Sequence, residues 1–425
     1  MERYYCKIDC NDQTVTRSKI IDLTESSFSY WKESSRRENK YAFSKVSRGV
    51  LDLLYISSFV YLADCMSPRE KNLLNWERNI SLVIPVLEKT LMDSLKDDLI
   101  EMLNFLSGDY WDIEFKERQY TKEELRQISK TKNLKVNEVD CVSMLSGGLD
   151  SLVGAIDLLE SNKKVLFVGS HGRGASVKPY QDKVYKSLSE RYNLENLYKQ
   201  FSLERSAHGE PGEITTRSRS FSFFAHGVAM ADVFGAKEVI IPENGVISLN
   251  IPLTWSRLGS SSTRTTHPFY MSKFNEILGK LGCKFRLRNP YQFCTKGEMM
   301  ANCKNKDYLS TIASSTMSCS HPSDRYSGEE FKADSHCGYC VPCTIRRAAF
   351  KKSGIQDRSI YRPMGNKEVA RQNFRSFKLG ILSKEKIGCF DVLKSGRVPD
   401  VENYQNYMEL YKRGVLEIKE FLSDD

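Results

Sequence analysis

Six consecutive residues, Ser146-Gly147-Gly148-Leu149-Asp150-Ser151, bring together the groups that grip a polyphosphate. Glycines let a backbone come close to an anion and take up positive φ angles. A helix starting at such a turn offers unpaired amides and the positive end of its dipole to the same anion. Ser146 and Ser151 add hydroxyl donors. Asp150 would repel a bare phosphate, so its expected partner is a Mg²⁺ ion that bridges phosphates. The plain alternative is a Gly-Gly turn that merely enters a helix; all six residues in a strand–turn–helix setting favour nucleotide binding over it. The loop is not a Walker loop, because no Gly-Lys-Ser/Thr follows, and the G-x-G-x-x-G dinucleotide fingerprint is absent.

A second constellation is His336-Cys337-Gly338-Tyr339-Cys340-Val341-Pro342-Cys343, with Cys319 lying 18 positions before Cys337. Two C-x-x-C steps sharing their middle cysteine put three thiolates on one turn, and Cys319 completes a tetrahedral zinc site. Gly338 suits the turn, and Pro342 suits the first turn of a helix beginning near Cys343. His336 is disfavoured as a ligand, since it adjoins Cys337 and neighbouring side chains point apart, whereas His321 is a substitute for Cys319. An iron–sulfur cluster accepts the same spacing and stays open as an alternative. A closed four-thiolate site leaves no coordination position for chemistry, so its expected role is to hold the fold. The other eight of the 12 cysteines are scattered singly and read as small hydrophobes.

The elements around the loop follow the grammar of a parallel sheet. Val139–Leu145 is a short apolar strand, Ser151–Leu159 an apolar helix start, Lys164–Gly169 a second buried strand, and Tyr180–Tyr192 a helix. Ser220–Phe234 reads as helix and Glu238–Pro242 as strand, and such alternation implies parallel strands covered on both faces. Glu243-Asn244-Gly245 then falls at the C-terminal end of a strand, where ligands bind in open α/β sheets. The preceding stretch differs. Ser47–Leu62 and Leu91–Leu106 read as helices, Ile80–Val86 and Tyr110–Phe115 as strands, and 117–137 as an exposed helix or connector. Tyr404–Leu422 suggests a final amphipathic helix suited to docking on the body or on another subunit.

Bulk properties bound the partners. The 425 residues allow two or three domains, and a net charge of +9 from 63 basic and 54 acidic side chains is mild and undirected. The basic pairs Arg36-Arg37, Lys163-Lys164, Arg346-Arg347 and Lys351-Lys352 read as solvated faces rather than a nucleic-acid footprint. Trp31, Trp76 and Trp111 read as core or partner-surface aromatics. No uninterrupted apolar run of about 18 residues occurs, and the start lacks the apolar stretch of an export signal, so the expected location is the cytoplasm, away from membrane.

With these motifs in view, the chain resembles the PP-loop family of N-type ATP pyrophosphatases, whose loop reads S-G-G-L-D-S after a hydrophobic strand. The later C-G-x-C-x-x-C, followed by Arg346, Phe350, Gly354 and Tyr361, narrows the likeness to QueC-like enzymes, the 7-cyano-7-deazaguanine synthases. The resemblance covers about 139–361 and implies a Rossmann-like, adenine nucleotide alpha hydrolase-like α/β sheet with a zinc-binding C-terminal segment, preceded here by an α+β N-terminal domain. It also implies cleavage of ATP between its α and β phosphates, with Mg²⁺, to adenylate a 7-deazaguanine carboxylate. Arg217 and Arg219 sit where the family faces the nucleotide before a helix, and Lys296, in Lys296-Gly297-Glu298 after Pro290, would neutralise the departing pyrophosphate.

The resemblance therefore divides the chain into an N-terminal α+β extension at 1–138, suited to partner docking, a QueC-like ATPase domain with its zinc site at 139–361, and a helical extension at 362–425. The stretch Val246–Pro268, with Trp255, Arg257, His267 and the Ser/Thr-rich run 260–266, is longer than in the family, and so is the Cys319–Cys337 spacing. Enlarged proteins of this kind resemble those of bacterial antiviral gene clusters, the QatC type among them. The function implied is a ligase passing the adenylated carboxylate to ammonia or to an amino group of a partner protein from the same gene cluster. A homodimer is compatible with it. A tRNA-modifying PP-loop enzyme and a non-catalytic nucleotide-binding scaffold are the alternatives.

Overall fold

A computed structural model describes residues 2–9, 11–12, 16–24, 42–69, 77–171, 177–203, 213, 217–250, 264–320, 335–362, 378–381, 398–399 and 402–423, with single positions 368, 371 and 375. Trp31, Trp76, Trp255, Arg257, His321 and the first part of the Ser/Thr-rich run, 260–263, lie outside the described residues.

The front of the chain builds β1 (Glu2–Lys7), β2 (Lys19–Asp22), α1 (Arg48–Met66), β3 (Asn79–Val86), α2 (Lys89–Ser107), β4 (Tyr110–Glu117) and α3 (Lys122–Thr131). Its strands pair in the order β2-β1-β3-β4, every pair parallel. The α+β expectation for 1–138 is thereby refined: α1 and α2 carry strands back to the same edge, which is what parallel pairing requires. Alternation fixes which face of β4 is inward, with Trp111, Ile113 and Phe115 buried and Tyr110, Asp112 and Glu114 exposed.

The second sheet takes β5 (Cys141–Met144), α4 (Leu149–Glu160), β6 (Val165–His171), α5 (Lys178–Tyr192), β7 (Tyr198–Ser202), α6 (Arg219–Phe234), β8 (Glu238–Ile240), α7 (Gly245–Leu249), α8 (Pro268–Lys280) and β9 (Arg286–Arg288). The order is β7-β6-β5-β8-β9, again all parallel. The chain winds outward from β5 on one side and through β8 on the other. The crevice beyond the carboxyl ends of β5 and β8 is thus the switch point where open α/β sheets take their ligands. At the β9 edge the Asn275 side chain accepts from Leu287 N at 2.8 Å and donates to Leu287 O at 3.0 Å.

α1 is long and apolar enough by composition to span a membrane, yet it is a core helix: 15 of its 19 residues are buried. It packs between the front sheet and α6, and one apolar core runs from Tyr4, Ile56 and Leu82 to Met144, Val228 and Tyr270. The other face of the second sheet packs Leu145, Ile156 and Phe167 against Met300 and Phe350, from α9 (Lys296–Ala301) and α11 (Val341–Ser353), with α10 (Lys306–Ile312) between them in sequence. A third core joins α12 (Tyr404–Ser423) to α7 and α11 through Leu410, Tyr411 and Ile418 against Val246, Leu249 and Ile345. Each fully buried aliphatic side chain there stabilises by about 1.5–3 kcal/mol, so α12 is an integral layer.

Candidate active site

The glycine turn stands at the carboxyl end of β5. Gly147 has φ +81°, and a Cβ there would lie 2.9 Å from Gln181 N, so a side chain is excluded both by conformation and by space. Gly148 is the N-cap of α4, and no side chain caps that helix. Its first amides and dipole therefore face the crevice beside the exposed Ser146, whose hydroxyl contacts Ser151 Oγ at 3.2 Å. This donor set fits a polyphosphate. Gln181, from α5, donates to Ser146 O at 3.4 Å and to Ser170 O at 3.0 Å, fastening the turn to the end of β6.

Asp150, in the first turn of α4, is 6% exposed, and its carboxylate is held by polar partners. Lys296 Nζ donates to its Oδ1 at 2.5 Å, while Asn244 donates to Oδ2 from its backbone at 3.1 Å and its side chain at 2.8 Å. Asn244 also accepts from Ile247 N at 3.1 Å, capping α7, so one residue ends the β8 segment, starts a helix and orients Asp150. Burial pushes the Asp150 pKa up, but the Lys296 ammonium and the hydrogen bonds around it win and hold it at about 2. Burial and the adjacent Asp150 carboxylate drive Glu243 the other way, well above the ordinary carboxyl range, the direction two neighbouring carboxyls take when they cannot both carry charge. The ionised Asp150 carboxylate beneath a phosphate-type turn is a hard oxygen donor of the kind a divalent cation takes.

The two arginines part company. Arg217 is buried, with its Nη1 donating to Ser107 O at 2.8 Å and its backbone amide to Asp64 Oδ2 at 2.8 Å. Asp64 also accepts from Ser218 N and Oγ, at 2.8 and 2.7 Å, and from Arg78 at 2.6 Å. Arg78 and Arg69 in turn both pair with Asp109. The front unit thus occupies the start of α6 with its own carboxylate, and Arg217 is engaged in that junction. Arg219, two residues on, is exposed and donates to Ser170 O at 3.3 Å, the oxygen that Gln181 also holds beside the loop.

Cys319, Cys337, Cys340 and Cys343 converge, their sulfurs all within 4.8 Å of one another. Cys337 and Cys343 Sγ stand 3.8 Å apart, and zinc–sulfur bonds of about 2.3 Å at tetrahedral angles require an edge of about 3.8 Å. Backbone amides of Cys337 and Cys340 donate to Cys319 and Cys337 sulfur, both at 3.3 Å, a partner set suited to thiolates. The thiols therefore fit a tetrahedral metal. His336 is not among the converging ligands, and its Nε2 lies 3.5 Å from the amide of Ser318, next to Cys319. Arg346, fully buried, binds Thr316 Oγ1 at 2.7 Å and Ala313 O at 2.8 Å, holding the strand of chain that leads to Cys319. By contrast, burial pushes the Cys141 and Cys303 thiols up to about 12, in keeping with inert packing.

Four contributors escaped sequence reasoning: Gln181, Asp64, Met317 and Glu417. Only Gln181, facing inward on an amphipathic helix otherwise lined by apolar side chains, left a local trace. A separate cavity of about 690 Å³ opens at the opposite edge of the sheet, lined by Lys163, Lys237, Lys284 and Arg286. It lies at the other end of the strands from the turn, and of the residues just described only Cys141 lines it.

Residues 261–354 match the family model described as queuosine biosynthesis protein QueC, a segment that holds Lys296 and all four clustered cysteines. Similar curated proteins include the 7-cyano-7-deazaguanine synthase of Rickettsia akari (strain Hartford), 28% identical over 146 residues, which are 33% of this chain and 54% of the relative. That of Rickettsia canadensis (strain McKiel) is 27% identical over the same shares. The chain spans about half the length of the curated relatives it matches. In this part it is similar to QueC proteins, and its second sheet is a Rossmann-like parallel layer.

Proposed function

We propose that the protein is an ATP-dependent ligase that adenylates a 7-deazaguanine carboxylate and transfers it to an amine. The observation that carries the reading is the uncapped, glycine-turned start of α4 facing the Asp150–Lys296 pair in the crevice. The loop from Ser146 to Ser151 holds the β and γ phosphates with its amides and hydroxyls. Asp150, backed by Glu243, is the residue that would hold Mg²⁺, which shields phosphate charge when bound. A carboxylate oxygen of the substrate attacks the α-phosphorus, and the bond to the bridging oxygen breaks, releasing pyrophosphate. Lys296 and Arg219 stabilise the negative charge that grows on that leaving group. The amine nitrogen then attacks the acyl carbon, AMP departs and the amine loses a proton. Cys319, Cys337, Cys340 and Cys343 hold Zn²⁺ in a structural role.

The amine is ammonia or an amino group of a partner protein. The front unit, with an extra sheet of its own, supports the protein acceptor, because a polypeptide needs a docking surface and ammonia does not. An antiviral setting in the bacterial cytoplasm accords with that enlargement. The deciding experiment measures pyrophosphate release by the purified full chain with ATP and Mg²⁺, with and without 7-carboxy-7-deazaguanine. Release that depends on the acid is expected. Nucleotide binding with no release would leave the scaffold reading, and release driven by tRNA would overturn the substrate class.

A further inference from the structure

The turn that carries Lys296 is held from outside its own sheet. Thr295, immediately before it, N-caps α9: its Oγ1 accepts from Glu298 N at 3.1 Å and donates to Glu417 Oε2 at 2.6 Å. Gly297, immediately after it, donates its amide to Glu417 Oε1 at 3.1 Å. Glu417 belongs to α12, is 5% exposed, and has both carboxylate oxygens committed to the residues flanking Lys296. The approach is close enough that a Cβ on residue 297 would lie 2.6 Å from Glu417 Oε2. One turn away on α12, Arg413 Nε donates to Glu298 Oε1 at 2.7 Å, completing a second tie to the same capping box.

We infer that Glu417 is a positioning residue for Lys296: it clamps the two peptide units on either side so that the ammonium reaches the mouth of the phosphate turn. This rests on the reading of Lys296 as the cation that serves the leaving pyrophosphate. The physics is that of preorganisation. A lysine has four rotatable bonds, and its head is placed reproducibly only if its Cα is fixed. A single carboxylate accepting from both neighbours fixes it, and the capping hydroxyl of Thr295 is oriented by the same contact. Glu417→Ala removes both acceptors and releases both sides of the turn, whereas Glu417→Gln keeps the shape and both contacts, its carbonyl accepting from Gly297 and its NH₂ donating to a Thr295 hydroxyl that turns to accept.

The test is a cycle of Glu417→Ala, Lys296→Met and the double variant in the full chain, with Glu417→Gln as the conservative control, read as pyrophosphate release with ATP, Mg²⁺ and 7-carboxy-7-deazaguanine, alongside thermal melting. Glu417→Ala is expected to lower kcat between about 10- and 100-fold, with KM for ATP little changed, and Glu417→Gln to keep most of the rate. Lys296→Met should lower it further, and adding Glu417→Ala to Lys296→Met should cost nothing more, because its effect passes through the lysine. Losses that multiply in the double variant, or a Glu417→Ala chain as fast as wild type, overturn the inference while leaving the enzymatic reading intact. A wild-type chain that releases no pyrophosphate overturns both, since Lys296 then has no such step to serve.

Discussion

Met317 donates its backbone amide to Gly147 O at 3.0 Å, and Cys319 lies two residues beyond it. The cysteine cluster and the phosphate turn are therefore neighbours through a single hydrogen bond, with Tyr180 and Met317 packed against Cys319, Cys337 and Cys343. Removing the proposed zinc, by a strong chelator or by Cys337→Ser, should then loosen both at once. The expected outcome is a stability loss above about 1 kcal/mol together with weaker ATP binding, measured by melting and by titration with a fluorescent ATP analogue. A melt that falls while nucleotide affinity holds would show that the Met317 link transmits nothing.

Gly147→Ala attacks the turn directly. The left-handed conformation costs a side chain about 1–2 kcal/mol, and the Gln181 backbone adds a clash. Urea denaturation should show at least that loss, with ATP binding abolished because the amides can no longer turn toward the phosphates.

The paired carboxyls predict a definite pH response. Asp150 titrates at about 2 in the fold, below its unfolded value, so its contribution is present above the ordinary aspartate range and vanishes only as pH falls through about 2. Glu243 is raised, so its contribution is complete below the unfolded glutamate value and is lost as pH rises through its folded pKa. Glu243→Gln, which cannot ionise, should therefore lose less stability than wild type as pH rises above the ordinary glutamate range. Urea midpoints across that rise decide it, and parallel curves for the two chains would count against a raised Glu243.

The phosphate turn was legible in advance because its signal is local. Ser146 to Ser151 follow an apolar strand, and the structure starts α4 at Leu149. The buried strand at Val165–His171 and the helix at Arg219–Phe234 were equally plain from apolar pattern. β7 and β9 were not, since Tyr198–Ser202 and Arg286–Arg288 are polar segments that become strands only by pairing with β6 and β8. Glu417 left no trace either: it contacts Gly297 across 120 residues, and a carboxylate on a final amphipathic helix reads as solvent-facing until its partners are known.

Arg217 and Arg219 should separate under substitution. Arg219→Ala leaves an exposed position and is expected to keep the melting temperature while lowering pyrophosphate release on the order of 10²-fold. Arg217→Ala removes a buried guanidinium bound to Ser107 O, so its chief effect should be on stability.

Asp64→Ala probes the junction further. It leaves Arg78 without one of its carboxylates and strips the acceptor from the amides of Arg217 and Ser218. A loss of about 3–5 kcal/mol is expected, measured by chemical denaturation. A near-neutral result would mean that the two sheets do not depend on this contact.

The amide of Asn275 has one more effect. A three-residue strand at the rim of a sheet turns only its middle peptide outward, and at β9 that peptide, Leu287, is already satisfied on both its donor and its acceptor. A neighbouring molecule arriving there finds no open ladder to join, so stray strand-to-strand stacking is blocked on this flank.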